Sequence, residues 1–171
     1  MGRKKTKSAP SQKKNAPSPA KNSPPQNAVS SFFSPHSDFS IHAASNSEIP
    51  AWRSLAETLF QNSSIELGAD DILLLAFAGA SEPIGFVHLR PHQSFVLLAG
   101  IGVIPAWQGR GVGRALMETA MQESQKKWPN LPFQLEVEQA NPAALRLYAS
   151  WGFALTKMGT GTYQLRRAAL N

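Results

Sequence analysis

Three glycines and two arginines lie close together in the stretch IPAWQGRGVGRALMETA. Gly109, Gly111 and Gly113 alternate with larger residues immediately ahead of an apparent helix. Small residues let backbone N–H groups point into one concavity, and the positive end of the helix dipole faces the same space. Such a loop binds phosphate groups with little help from side chains. Arg110 and Arg114 could add positive charge at the phosphates. Alternatively, they could be solvent-exposed residues beside the loop with no contact to the phosphates.

The spacing of these glycines excludes two common phosphate-binding loops. A Walker loop requires G-x-x-x-x-G-K-[ST], but Gly113 is followed by Arg114 instead of lysine. A dinucleotide-binding loop requires G-x-G-x-x-G, and its third glycine would fall on Arg114 or Leu116. The pattern that remains is Q-x-x-G-x-G, formed by Gln108, Gly111 and Gly113.

Hydrophobic periodicity predicts one mixed α/β domain that positions this loop. FSIHAAS favours an edge strand, and NSEIPAWRSLAETLF favours a helix capped by Ser47. DILLLAFAGA, PIGFVHLR and SFVLLAGIGVI predict three strands before the loop, whose helix extends to about Lys127. PFQLEVEQ predicts a strand, NPAALRLYASW a short helix that stops at Gly152, and FALTKM with TYQLRR a hairpin. The predicted order is β-α-β-β-β-α-β-α-β-β in three layers.

Two motifs in this order resemble the GNAT superfamily of N-acetyltransferases. The loop Gln108-x-x-Gly111-x-Gly113 resembles the acetyl-CoA loop of that family. LEVEQANPAALRLYASWGF resembles its second signature, L-x-V-x-x-x-N-x-x-A-x-x-x-Y-x-x-x-G-F, in a form that looks like the ribosomal-protein alanine acetyltransferases. The resemblance covers residues 39–171. It implies an α/β fold of GNAT type, with a mixed, mostly antiparallel sheet, splayed fourth and fifth strands, and flanking helices.

The resemblance also implies acetyl-CoA as co-substrate and indicates which residues bind it. Backbone groups of Ile101, Gly102 and Val103 would contact the pantetheine arm in the cleft between the splayed strands. The diphosphate would lie on the loop and the first helical turn, at Gln108, Gly109, Arg110, Gly111, Val112, Gly113 and Arg114. Asn141 matches a side chain that reaches the cofactor arm. Because Asn followed by Pro is also typical of a helix start, both roles stay open for it.

The catalytic residues are likewise implied by the resemblance. The sequence has no Cys, so we expect an amine to attack the thioester directly. Tyr148 matches the general acid that protonates the departing CoA thiolate. Glu136 resembles a glutamate implicated in deprotonating the amine, with Glu138 on the same strand face and ordered water as alternatives. The fourth strand has glycines at 100 and 102 in place of a carboxylate, and these are expected to leave room for substrate or cofactor.

Residues 1–38 are predicted to be a disordered tail rich in Lys, Pro and Ser. Residues 1–37 hold seven of the 17 lysines and arginines and none of the 11 acidic residues, so the net charge of +6 arises in the tail. Such a composition buries too little apolar surface to fold. Its role stays open between a solvated tail, an electrostatic arm for nucleic acid or acidic partners, and a localisation signal. MGRKKT also fits the loose myristoylation pattern.

Several classes of protein are disfavoured. The four histidines show no metal-ligand spacing, so no metal is predicted. The sequence contains no apolar run of about 18 residues, so no membrane span is predicted. A cytoplasmic location is expected, or a nuclear one in a eukaryote. The chain is expected to be a monomer or a homodimer.

The predicted function is transfer of an acetyl group from acetyl-CoA to a primary amine. A protein or peptide amine is favoured, because QNSSIELGAD replaces much of a second helix and leaves the site accessible. The first alternative is a small-molecule amine. The second is a non-catalytic CoA-binding module that docks on nucleic acid through its basic tail.

Overall fold

The computed structural model describes residues 38–60, 66–79 and 82–169. Residues 1–37 of the predicted tail therefore lie outside the described residues, as does the first half of QNSSIELGAD. Within the described ranges, strands and helices follow one another in the predicted order. They are β1 (Ser40–Ala43), α1 (Ile49–Leu59), β2 (Ile72–Phe77), β3 (Pro83–Pro91), β4 (Val96–Val103), α2 (Val112–Lys127), β5 (Phe133–Glu138), α3 (Pro142–Ser150), β6 (Ala154–Met158) and β7 (Thr162–Arg167).

The strands form one sheet in the order β1-β2-β3-β4-β5-β7-β6. Neighbouring strands run antiparallel except β4 and β5, which are parallel. These two pair at only two positions, Val96 with Phe133 and Leu97 with Gln134, although β4 continues to Val103. The predicted fold class, including the splayed fourth and fifth strands, is confirmed.

A bulge in β4 accounts for this separation. Leu98 and Gly100 pair with consecutive residues of β3, Leu89 and His88, so Ala99 between them is the extra residue. A bulge bends its strand and increases the local twist. We attribute the divergence of β4 from β5 to this bend, which the sequence pattern does not predict.

Each face of the sheet packs against its own helices. On one face, α2 buries Val112, Leu116 and Ala120 against the strands, and α3 adds Leu145. On the other face, α1 packs over β3 and its neighbouring strands, and Trp52 of this helix is fully buried. The predicted three layers are therefore present.

The α1 side of β5, β7 and β6 is polar. Phe133, Leu135 and Val137 of β5 are buried on the α2 side, so the residues between them point the other way. α1 packs mainly on β3 and β4, and within the described ranges this part of the sheet has no apolar layer over it. We call it the open face. Its side chains, taken from the strand register, are Gln134, Glu136, Glu138, Lys157, Thr162, Gln164 and Arg166.

The start of α1 differs from the prediction. Ser47 was expected to cap the helix, but Asn46–Glu48 form a 3-10 turn ahead of it. The N–H and the hydroxyl of Ser45 each donate to Glu48 Oε2 at 2.7 Å. The prediction of Ser47 is wrong because the Glu48 carboxylate reaches back three residues, which makes Ser45 the capping position.

A buried cluster joins the segment before β2 to β3. Asp71 Oδ2 accepts hydrogen bonds from His88 Nε2 at 2.6 Å, Arg90 Nε at 3.2 Å and the Gly68 N–H at 2.9 Å. His88 is fully buried, and the Asp71 side chain is 3% exposed. Arg90 also donates to the carbonyl of Glu66. The cluster holds the segment that enters β2 against the sheet.

Candidate active site

The cleft between β4 and β5 presents backbone groups of β4. The N–H of Ile104 donates to the carbonyl of Ile84 in β3 at 2.9 Å. Successive residues of a strand direct their N–H and C=O groups to opposite edges. The N–H and C=O groups of Gly102 therefore point to β3. Those of Ile101 and Val103 point into the cleft, in the part of β4 that no longer pairs with β5. Peptide groups at an unpaired strand edge can form hydrogen bonds with an extended chain that itself carries amides, as pantetheine does.

Gly102 packs against the end of α1. A Cβ at this position would lie 2.8 Å from Leu59 Cδ1 and 3.2 Å from Phe60 Cε2, so a larger residue here would have to displace the ends of these two side chains. The space beside Gly102 on the α1 side is thus occupied by Leu59 and Phe60, while the expectation that Gly100 leaves room for substrate or cofactor stays a prediction. The peptide groups of Gly102 face β3, and its predicted contact with pantetheine stays a prediction.

The glycine loop connects the end of β4 to α2. Gln108 Nε2 donates to the carbonyl of Val103 at 3.0 Å, which ties the loop to the cleft. Gly109 and Gly111 have φ of +74° and +84°, and Gly111 is the N-cap of α2. The first turn of a helix has N–H groups without intrahelical partners. The N–H groups of Val112 and Gly113 belong to that turn, so the loop and helix start together offer donors for an anion.

Gly111→Ala is expected to lower the free energy of unfolding by about 1–2 kcal/mol, because an L-residue is strained in the left-handed region. A Cβ at Gly111 meets no atom within 4 Å, so the cost is conformational and not steric. Thermal unfolding measures it. The matched control is Gly113→Ala, whose Cβ would make an ordinary 3.6 Å contact with Val103 and which is expected to be no less stable than wild type. Wild-type stability of Gly111→Ala would contradict the conformation of this loop.

The two arginines of the loop contact aromatic rings. The Arg110 guanidinium carbon lies 4.9 Å from the centroid of Trp107, and that of Arg114 lies 6.0 Å from Trp151 at the end of α3. Arg114 also pairs with Glu118, with Nε 3.2 Å from Oε1. The positive charge of Arg114 is therefore partly compensated by a carboxylate within α2. Both arginines are exposed, so each keeps the two roles that the sequence leaves open.

Asn141 lies at the start of α3. Its Oδ1 accepts a hydrogen bond from the Ala144 N–H at 3.0 Å, and Pro142 follows in the first turn. The helix-cap role predicted for Asn141 is thus present. The cap uses the side-chain oxygen, so a contact of the amide nitrogen with a cofactor is compatible with it.

Tyr148 lies on the face of α3 that packs towards the sheet. Its ring meets Phe153 edge to face, with centroids 5.8 Å apart, and it is partly buried against the α2-side core. Burial raises the pKa of the Tyr148 phenol above its ordinary value. The hydroxyl is therefore protonated at neutral pH, as a proton donor must be.

Glu136 and Glu138 lie on the open face. Both side chains are exposed, while Leu135 and Val137 between and beside them are buried on the other side of β5. In the register, Glu136 is opposite Gln164 of β7. Tyr148 thus lies on the α2 side of the sheet, whereas the Glu136 side chain projects from the opposite side. The cleft between β4 and β5 is the opening where two groups on opposite faces could act on one bound molecule.

The three histidines within the described residues have structural contacts. His42 Nε2 lies 2.8 Å from Glu48 Oε1, and His92 stacks on Phe95. Among the residues that the structure describes, no three His, Asp or Glu side chains are grouped to hold a metal ion. In the same ranges, no helix combines the length and apolarity needed to cross a membrane.

Residues 39–153 match the model of the acetyltransferase (GNAT) family. The solved structures that resemble the chain include the ribosomal-protein-S18-alanine N-acetyltransferase from Escherichia coli, with a TM-score of 0.66 and 21% identity over 77% of this chain and 94% of that one. They also include a GNAT family acetyltransferase from Elizabethkingia anophelis with acetyl-CoA bound, with a TM-score of 0.65 and 18% identity over 77% and 99%.

Curated relatives match over a shorter stretch. The mycothiol acetyltransferase of Renibacterium salmoninarum is 37% identical over 87 residues, which are 47% of this chain and 25% of that protein. The mycothiol acetyltransferase of Jonesia denitrificans is 43% identical over 74 residues, which are 42% and 23%. The chain thus matches about a quarter of the length of these relatives.

Proposed function

Because the chain belongs to the acetyltransferase (GNAT) family, we propose that it transfers the acetyl group of acetyl-CoA directly to a primary amine. The predicted enzyme class, an acyltransferase, agrees with this family. The observation that carries the proposal is the cleft itself. β4 and β5 pair at two positions only, and the peptide groups of Ile101 and Val103 face the gap, which ends at the glycine loop.

The cofactor proposal assigns each part of acetyl-CoA to a part of the cleft. Ile101 and Val103 would hold the pantetheine amides. The diphosphate would lie on residues 108–114, where the start of α2 and two positive-φ glycines present N–H groups. Asn141 would add its amide nitrogen from the start of α3. Such an arrangement would bring the thioester between the open face and Tyr148.

The chemistry follows from these two sides of the cleft. An acceptor amine is mostly protonated at neutral pH, since its pKa is about 7.7–8.0 for an α-amino group and about 10.4 for lysine. Glu136 would accept that proton, directly or through water. The amine then attacks the thioester carbonyl, the C–S bond breaks, and Tyr148 would give its proton to the leaving thiolate.

Two classes of acceptor remain candidates. The open face favours the amine of a polypeptide, because an exposed strand surface can receive an extended chain. The names of the curated relatives favour a small-molecule amine, although those matches cover about a quarter of each relative. An assay with acetyl-CoA and separate panels of peptides and small amines, with products identified by mass, distinguishes them. Binding of CoA without turnover on either panel would instead support a non-catalytic module.

Glu136→Gln is expected to lower kcat/KM at neutral pH by about 10²-fold, because the variant keeps the shape of the side chain but cannot accept a proton. The rate of the variant should recover as rising pH deprotonates the amine in solution. A pH–rate profile of both proteins measures this. Glu138→Gln is the matched control on the same face of β5, and the assignment predicts a smaller effect there. Superimposable profiles for Glu136→Gln and wild type would remove Glu136 from the mechanism.

A further inference from the structure

The basic tail enters the domain at the end of the sheet where the cleft opens. Ser40 at the start of β1 pairs with Phe77, and Phe77 pairs with Pro83 at the start of β3. Gly85, close to that start, pairs with Val103 at the end of β4. The tail therefore joins β1 at the same end of the sheet as the end of β4 and the glycine loop.

The distance from there to the cleft is short compared with the tail. Three strand spacings of about 4.8 Å separate β1 from β4, which is about 15 Å. Lys21 is the tail lysine nearest to the domain in sequence, 17 residues before Asp38. A chain of that length spans up to about 55–60 Å. Lys21 and every lysine before it can therefore reach the cleft of the same molecule.

The charges of the two parts are complementary where they would meet. Residues 1–37 carry seven positive side chains and no acidic one. On the open face, Glu138 lies at the cleft end of β5 and Glu136 two residues further in, both exposed. The basic groups of that face lie further away. In the register, Arg166 pairs with Gln134 at the other end of β5, and Lys157 lies on β6, two strands from Glu136.

From this register, reach and charge pattern we propose that the tail lysines are acetyl acceptors of their own domain. The open face receives the tail, and an acetyl group passes from acetyl-CoA to a lysine Nζ in cis. The lysine loses two protons in all and becomes a neutral amide, the C–S bond of the thioester breaks, and CoA leaves as the thiol. Each transfer removes one positive charge from the tail and so weakens its attraction to Glu136 and Glu138. This inference rests on the proposed acetyltransferase function.

Because the tail is covalently connected to the domain, transfer within one molecule is expected to be faster than transfer between two copies. A group linked by a short chain that spans the gap has an effective concentration on the order of 1 mM. At a protein concentration of about 1 µM, the tail of the same molecule is therefore about 10³-fold more concentrated than that of another copy. The fraction acetylated per unit time should then be independent of the protein concentration.

The test incubates the full chain with acetyl-CoA and follows intact mass and peptide mass. We expect acetyl groups on lysines of residues 1–37, at a rate that stays constant over a tenfold change in protein concentration. Tyr148→Phe should acetylate its tail at least about tenfold more slowly. A variant with Arg in place of all six tail lysines keeps the charge, removes the acceptors and should show no tail acetylation. Those six are Lys4, Lys5, Lys7, Lys13, Lys14 and Lys21.

The outcomes separate this inference from the proposed function. If the chain turns over amines of the peptide or small-molecule panel but leaves its tail unmodified, the tail inference fails and the enzyme assignment stands. A rate proportional to protein concentration would show transfer between copies and overturn the reaction in cis. Equal tail acetylation in wild type and Tyr148→Phe would indicate uncatalysed chemistry and also overturn it. If neither tail nor panel is acetylated, the proposed function itself fails.

Discussion

Tyr148→Phe is expected to lower kcat by about 10²-fold or more while leaving the affinity for acetyl-CoA close to that of the wild type. The substitution removes only the hydroxyl, and general acid catalysis typically contributes 10²–10⁴-fold. The ring that packs against Phe153 at 5.8 Å remains, so α3 keeps its position. Steady-state kinetics with a reporter for free CoA thiol measures kcat, and calorimetric titration measures the affinity.

The second tyrosine of the chain provides the control for this prediction. Tyr163 in β7 is also partly buried against the α2-side core, and Tyr163→Phe removes the same atom from a place that the proposed mechanism does not use. We expect wild-type kcat for it. Because burial raises the pKa of Tyr148, the donor form persists from neutral pH to above the ordinary value of about 10. Wild-type turnover by Tyr148→Phe would remove Tyr148 from the mechanism.

Asp71→Ala is expected to lower the free energy of unfolding by about 3 kcal/mol, the size typical of breaking a buried charge pair. Three residues donate hydrogen bonds to this carboxylate, and one of them, His88, is fully buried and would be left without its acceptor. Urea unfolding measures the loss. Asp70→Asn is the neighbouring control, since Asp70 is exposed and surface changes usually stay within about 0.5 kcal/mol. Equal stability of the two variants would contradict the cluster.

The same cluster predicts that acid destabilises the wild type. Burial lowers the pKa of His88, and this effect outweighs the opposing effect of Asp71. The unfolded chain then takes up a proton near pH 6.5 while the folded chain does not, so stability falls as pH drops below about 6.5. Burial alone would raise the pKa of Asp71, but hydrogen bonds from Gly68, Arg90 and His88 lower it. A further loss is therefore expected below about pH 4, and an unchanged unfolding free energy between pH 7 and pH 5 would contradict this.

The element order and the family were predictable because they depend on local patterns. Periodicity of apolar residues predicts each strand and helix, and the two motifs that flank α2 have fixed spacings. The family assignment is confirmed by the match over residues 39–153. The roles of Tyr148, Glu136 and the loop residues stay predictions that the kinetics of their variants would test.

The features that the sequence did not predict depend on contacts between distant residues. The bulge at Ala99 is defined by how β3 and β4 pair. The close packing beside Gly102 involves Leu59, which is 43 positions earlier in the printed sequence. The sequence gives only a weak indication that His88 has a hydrogen-bond partner. A histidine among the apolar residues of a strand needs such a partner once it is buried. That partner, Asp71, precedes another strand, and only the register of β2 with β3 brings the two together.

The two-residue ladder between β4 and β5 has a consequence for which acyl groups the domain accepts. Beyond Val96 and Leu97, no backbone pairing between these strands fixes how far apart they are. Phe133 and Leu135 of β5 pack in the α2-side core, so we expect the spacing of the two strands beyond the bulge to depend on the side chains of that core as well. With acyl-CoA bound in the cleft as proposed, this core would also limit the size of the acyl group that the cleft can hold. Larger or smaller side chains in that layer would shift the preference between acetyl and longer acyl thioesters without any change in the residues that touch them.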